Sequence, residues 1–225
     1  MPKQKRTQKE GFEAGAQPQF IPGIEMGPWA TYSWLNDPRH MCFMLSRYKF
    51  CAKMLEKKGV VLELGCGDGF STPIVAQAVG KVIAIDSVPK LINKNKELLK
   101  QFSNIEFRVH NICDAPMKEK FDAIYSLDVI EHLDAPLNKV FFANQAASLK
   151  EDGICICGTP NITALKYAKE LNKLQHINCQ SQKSLREKME KYFKNVFMFS
   201  MNDEIVHTGY GPMAHYIIGM GVGVK

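Results

Sequence analysis

The chain has 225 residues, enough for one α/β domain with its own core, and its 45% hydrophobic and 23% charged content is that of an ordinary globular protein. Apolar runs such as Val60–Leu64 and Ile217–Val224 are strand-sized, and the start is basic and polar with no apolar leader region, so neither a membrane span nor a signal peptide is expected and the cytoplasm is the default compartment. Net charge is +6, but Lys3, Lys5, Arg6 and Lys9 supply four of the positives, which leaves a body too mildly basic to favour nucleic acid as the partner.

Residues 1–20, rich in Lys, Gln, Gly and Pro, read as a tail without fixed structure, and residues 21–225 as a single domain. Within that domain, 21–58 form an N-terminal flap and 59–225 the core. Phe20 to Asp37 carries Pro22, Pro28, Trp29, Tyr32 and Trp34 and does not suit a long helix. From Pro38 to Lys58, Met41, Met44, Leu45, Tyr48, Ala52 and Leu55 recur at helical spacing, with Asp37 as cap, Pro38 in the first turn and Gly59 as the stop.

Strands and helices then alternate. Val60–Leu64, Lys81–Ile85, Ile105–Val109, Phe121–Leu127 and Gly153–Cys157 read as strands, and Thr72–Val79, Lys90–Phe102 and Ala135–Leu149 as the helices between them. This pattern predicts a parallel sheet covered on both faces. Ala164–Leu174 and Ser184–Tyr192 look helical, and Val196–Ser200 and His215–Met220 look like closing strands. The seven cysteines contain no CxxC pair and read as buried reduced thiols, with Cys155 and Cys157 on one strand face.

The segment Val60-Val-Leu-Glu-Leu-Gly-Cys-Gly-Asp-Gly69 runs a buried strand into three alternating glycines ahead of a helix, which permits a sharp turn and close approach of a ligand. A dinucleotide fingerprint would need glycine at position 70, which is Phe70, and the acid Glu63 suits a cationic ligand better than a pyrophosphate. Asp86, at the end of the second strand, can accept ribose hydroxyls, and Asn111 and Ile112 after the third strand can meet an adenine edge and face.

These motifs, with Phe121-Asp-Ala-Ile-Tyr-Ser-Leu127 and Gly153 through Pro160, closely resemble the class I S-adenosylmethionine-dependent methyltransferases over roughly 60–161. The resemblance implies a Rossmann-like, seven-stranded, mostly parallel sheet with an antiparallel last strand and helices on both faces. It also implies S-adenosylmethionine as cofactor, held by Glu63, Gly65, Cys66, Gly67, Gly69, Asp86, Ser87, Asn111, Ile112 and Leu127. The glycine turn would take the methionine part and Asp86 the ribose. Asn111 departs from the family's usual Asp, though an amide oxygen can still accept from the adenine amino group.

Asp128, Glu131 and His132 follow the fourth strand at spacing i, i+3, i+4, which on a helical turn admits a hard divalent ion or a His base oriented by a carboxylate. The segment resembles the ubiquinone-pathway O-methyltransferases and the terminal small-RNA 2′-O-methyltransferases, in which a Glu-x-x-Glu-His arrangement holds a metal. Many relatives carry Glu-His without one, so a metal is admitted but not expected. His132, His176 and His207 are the candidate bases, and Tyr32, Trp34, Arg47 and Tyr210 the candidate acceptor contacts. The leading expectation is O-methylation of a small polar metabolite such as a sugar or glycan precursor. An RNA 2′-O- or other N-methyltransferase and a non-catalytic cofactor-binding module are the alternatives.

Overall fold

The short apolar runs of the sequence become neighbouring strands. β1 (Val60–Leu64) lies between β2 (Lys81–Asp86) and β4 (Phe121–Leu127), flanked by β3 (Ile105–Val109) and β5 (Leu149–Pro160), all parallel. β6 (Phe193–Asn202), β7 (Ile205–His207) and β8 (Tyr216–Val224) complete one sheet of order β3-β2-β1-β4-β5-β8-β6-β7. β8 inserts antiparallel between β5 and β6, as expected for the last strand. The computed structural model describes residues 23–168 and 174–225, so the expected basic tail and most of the region beyond Ala168 in the expected helix Ala164–Leu174 lie outside the described residues.

An eighth strand exceeds the expected seven. Asp203 takes a positive φ of 50°, the chain reverses, and β7 pairs with the end of β6 through Ser200↔His207. Three residues carry too little periodicity to be read from sequence.

Helices cover both faces because both are apolar. α5 (Leu137–Ser148) and α6 (Gln182–Met189) bring Phe141, Phe142, Leu185 and Met189 onto Leu62, Leu64, Ile83 and Ile124. On the opposite face α2 (Pro38–Met54), α3 (Thr72–Ala76) and α4 (Pro89–Leu98) bring Cys51, Val75 and Ile92 onto Val61, Val82, Ala84 and Tyr125. α2 stops at Met54 rather than at Gly59, and Lys57 makes the left-handed turn with φ 66°. A nine-residue helix α1 (Pro28–Asn36) precedes it. Where the expected Ala164 helix overlaps the described residues, the chain forms a 3-10 turn over Ile162–Tyr167. Cys51, Cys66, Cys155 and Cys157 are buried, Cys113 and Cys179 half-buried and Cys42 exposed. No helix among the described residues is long and apolar enough to cross a membrane.

The strand order reverses direction between β1 and β4. In such sheets ligands sit beyond the carboxyl ends of the strands at that reversal.

Candidate active site

β1 leaves the sheet at Leu64 and turns through Gly65, Gly67 and Gly69, whose φ values are 65°, 54° and 66°. A side chain would be strained at each. At Gly65 a Cβ would also stand 2.6 Å from Val129 Cγ2.

The turn is fastened from several sides. Asp86 at the end of β2 accepts the Gly67 N–H through Oδ2 (3.0 Å) and the Val88 N–H through Oδ1 (2.9 Å). Asn95 on α4 donates to the Gly67 carbonyl at 2.8 Å, and the Cys66 N–H donates to the Ile85 carbonyl at 3.0 Å. Asn95 escaped the sequence reading because only the apolar side of its helix carried a signal.

Glu63 braces the turn from beneath. It is 1% exposed and accepts the Thr72 hydroxyl at 2.7 Å. Burial pushes its carboxyl up to about 7. Strand alternation aims residue 63 at the face covered by α2 and α3, so it does not line the ligand cavity as expected.

A cavity of about 350 Å³ opens beyond β1, β2 and β3. Of the residues expected at the cofactor, Gly65, Asp86, Ser87, Asn111 and Ile112 line it, joined by His110, Cys113, Val129, His132, Leu133 and Phe141. Asn111 Oδ1 accepts the Cys113 N–H (3.0 Å), and its Nδ2 donates to Asp114 (3.1 Å). That fixes the amide while leaving the oxygen a second lone pair. Cys66, Gly67, Gly69 and Leu127 shape the surroundings without lining the cavity, and Leu127 is buried in the core.

A second cavity of about 490 Å³ lies between α2 and the segment after β5. Its wall includes His40, Met44, Arg47, Pro160, Asn161, Leu165, Tyr167, His176, His215 and Tyr216. Asp128 lines both cavities. It holds a positive φ of 57°, unusual for a residue with a side chain. Arg47 Nη1 donates to both of its carboxylate oxygens at 2.8 and 2.7 Å, and the guanidinium carbon sits 3.9 Å from the centre of the Tyr216 ring.

His176 meets His132 edge-to-face with ring centres 5.1 Å apart. Burial first, and then the neighbouring His132, lower the His176 imidazole from its ordinary value, which favours its neutral form. His132 Nδ1 lies 3.1 Å from the Gln175 carbonyl. Glu131 is fully buried, accepts the Thr159 hydroxyl at 3.0 Å, and has its carboxyl pushed up to about 8 by burial and by Asp128.

The expected metal set is not assembled as such. Glu131 and His132 sit on a 3-10 turn, Ile130–His132, and Asp128 is taken by Arg47. Ligand atoms of Glu131, His132 and His176 instead lie within 4.8 Å of one another, and Glu131 Oε1 is buried without a hydrogen-bond partner. That trio, two imidazoles and a carboxylate, fits a divalent ion.

Other expected contacts fall elsewhere. Tyr32 and Trp34 lie exposed on α1, and Tyr210 is exposed before the turn at Gly211–Met213. None of them lines either cavity. His207 sits on the edge strand β7, its Nδ1 accepting the Gly209 N–H at 2.9 Å. β8 and β6 separate that strand from β5 and so from the strand reversal.

The sequence matches the methyltransferase domain family over residues 35–194. The chain belongs to that family. Its sheet order and glycine turn are those of the class I S-adenosylmethionine-dependent methyltransferases. A ubiquinone biosynthesis O-methyltransferase of Xanthomonas campestris pv. campestris is 29% identical over 111 residues, covering 48% of this chain and 46% of the relative. The chain thus matches about half the length of such relatives. Among solved structures, the N-methyltransferase NodS of Bradyrhizobium japonicum WM9 in complex with S-adenosyl-L-homocysteine superposes with a TM-score of 0.66 at 15% identity, over 86% of this chain and 92% of NodS. The methyltransferase domain of bacterial CtHen1-C gives 0.67 at 18% identity, over 80% and 99%. At these identities the two structures speak for the fold.

Proposed function

We propose that the chain transfers the methyl group of S-adenosylmethionine to a hydroxyl of a small acceptor with an apolar body, with His176 as the base. One observation carries this reading. Asp128 belongs to the walls of both cavities, so a donor in the first and an acceptor in the second meet at its carboxylate.

The donor side follows from the family and from the geometry of the first cavity. The glycine turn would take the methionine part, Asp86 the ribose, and Asn111 with Ile112 the adenine. The sulfonium is already a good methyl donor, so the protein chiefly aligns the acceptor and excludes water. A hydroxyl acceptor must also lose a proton. A neutral His176 facing the second cavity can take it. The Arg47–Asp128 pair keeps the shared wall in place.

The second cavity favours an apolar acceptor over the sugar expected from sequence. Met44, Ala164, Leu165, Tyr167 and Tyr216 make much of its wall. Two of its polar members are already engaged: Arg47 with Asp128, and Asn161 with the Gly211 and Ala214 carbonyls at 2.8 and 3.0 Å. A sugar needs many free partners for its hydroxyls, whereas one hydroxyl on an apolar body needs few.

A divalent ion on Glu131, His132 and His176 would instead acidify the acceptor hydroxyl directly, making His176 a ligand. The test is S-adenosylhomocysteine calorimetry, followed by transfer of labelled methyl from S-adenosylmethionine to phenols, long-chain alcohols and monosaccharides, with and without EDTA. Transfer to phenols or alcohols that survives EDTA supports the proposal, and loss in EDTA supports the ion. Transfer to sugars alone overturns the acceptor assignment, and a folded protein that binds no S-adenosylhomocysteine overturns the reading altogether.

A further inference from the structure

Helix α1 is capped by another part of the protein. Its own N-cap, Gly27, has no side chain to offer. Asp68, between the second and third glycines of the turn, supplies the missing acceptor: its Oδ2 receives the Ala30 N–H at 2.8 Å. Ala30 stands three residues past the cap, where an N-cap side chain normally bonds. The approach is so close that a Cβ on Gly27 would lie 2.1 Å from Asp68 Cβ. A second tie, Lys94–Glu25 at 3.0 Å, joins the segment before α1 to α4, whose Asn95 grips the same turn.

The capped end of α1 places Trp29 beside the turn, its Cδ1 3.9 Å from where a Cβ of Gly67 would be. Trp29 remains 61% exposed, so it retains surface to bury against a ligand. α2 follows at once and carries Met44 and Arg47 to the second cavity.

Building on the S-adenosylmethionine reading above, we propose that Asp68 is a positioning residue for the cofactor. By capping α1 from the glycine turn, it holds Trp29 as a cover over the methionine end of the ligand and keeps water from it. Asp68 acts through α1 and need not touch the ligand.

The protein contains two tryptophans, Trp29 and Trp34, both in α1, so its intrinsic tryptophan emission reports on this strap alone. The experiment titrates the full chain carrying Trp34→Phe with S-adenosylhomocysteine, following heat and Trp29 emission in parallel, alone and with Asp68→Ala or Asp68→Asn. Saturation is expected to change Trp29 emission in the parent. Asp68→Ala should weaken binding roughly fivefold, as for loss of one N-cap, and abolish the emission change. Asp68→Asn, whose amide oxygen can still accept the Ala30 N–H, should restore both. Heat without an emission change in the parent overturns the proposal. So does an Asp68→Ala protein that melts earlier yet keeps the parent's affinity and emission response, since that marks a purely structural role. No heat in the parent removes the S-adenosylmethionine reading and this inference together.

Discussion

Arg47, on a helix before the sheet begins, holds both oxygens of Asp128 at the end of β4 from a single nitrogen, at 2.8 and 2.7 Å. The two residues are 81 positions apart; Asp128 lines both cavities and Arg47 the second. The guanidinium is also sandwiched onto Tyr216, which comes from β8. Three distant parts of the chain therefore converge on one guanidinium.

That convergence predicts strong coupling. Arg47→Met leaves Asp128 without its cation, and Asp128→Asn leaves Arg47 without its anion. Each variant is expected to lose about tenfold in kcat/KM, with the double variant little worse than either alone, a coupling of about 1–2 kcal/mol. Additive losses in the double-mutant cycle would show that the pair does not act as a unit.

Asp86 serves the turn and the cavity together. Removing its carboxylate frees the Gly67 and Val88 N–H groups and deletes the acid proposed to hold the ribose. Asp86→Ala is expected to weaken S-adenosylhomocysteine binding roughly a hundredfold, the size of two lost hydrogen bonds to a charged group. Calorimetry measures it, and a change below threefold would place the ribose elsewhere.

His176 bears on the chemistry rather than on the donor. His176→Ala should lower kcat by about 10²–10⁴, the range for loss of a general base, with S-adenosylhomocysteine affinity unchanged. Equal losses in turnover and donor affinity would argue for a packing role.

Glu63 makes stability depend on pH. Its carboxyl titrates near 7 when folded and near 4.5 otherwise. Between these values the native state retains a proton that the unfolded chain has released, so stability falls as pH rises through this window. Glu63→Gln should flatten the dependence between pH 5 and 8, and stabilise the protein above pH 7 by up to about 3 kcal/mol. Denaturant melts at several pH values measure it, and parallel curves for the two proteins would exclude Glu63 as the cause.

The sequence by itself determined the parallel sheet and the glycine turn, and it singled out Asp86, which stands at the end of β2 in the wall of the first cavity. Those features are local: a buried strand shows as a short apolar run, and a sharp turn as glycines that relieve strain at positive φ. Asn111 and Ile112 line the same cavity because they follow directly on the end of one strand.

Only the tertiary structure decided what crosses the site. Glu63 looked like a ligand contact until strand alternation turned it inward onto Thr72. Asp128, Glu131 and His132 suggested a metal set by spacing, yet the long-range partner Arg47 claimed the first, and Asn178, bonded to the Ile130 and Glu131 carbonyls, holds the segment that brings His176 into reach of the other two. His207 carried the same imidazole as His176 but landed on an edge strand. The cap of α1 is likewise invisible in its own residues, because the carboxylate that completes it is 38 positions downstream. Hydrogen bonds and ion pairs depend on separations of about 3 Å, which only the packing of elements distant in sequence establishes.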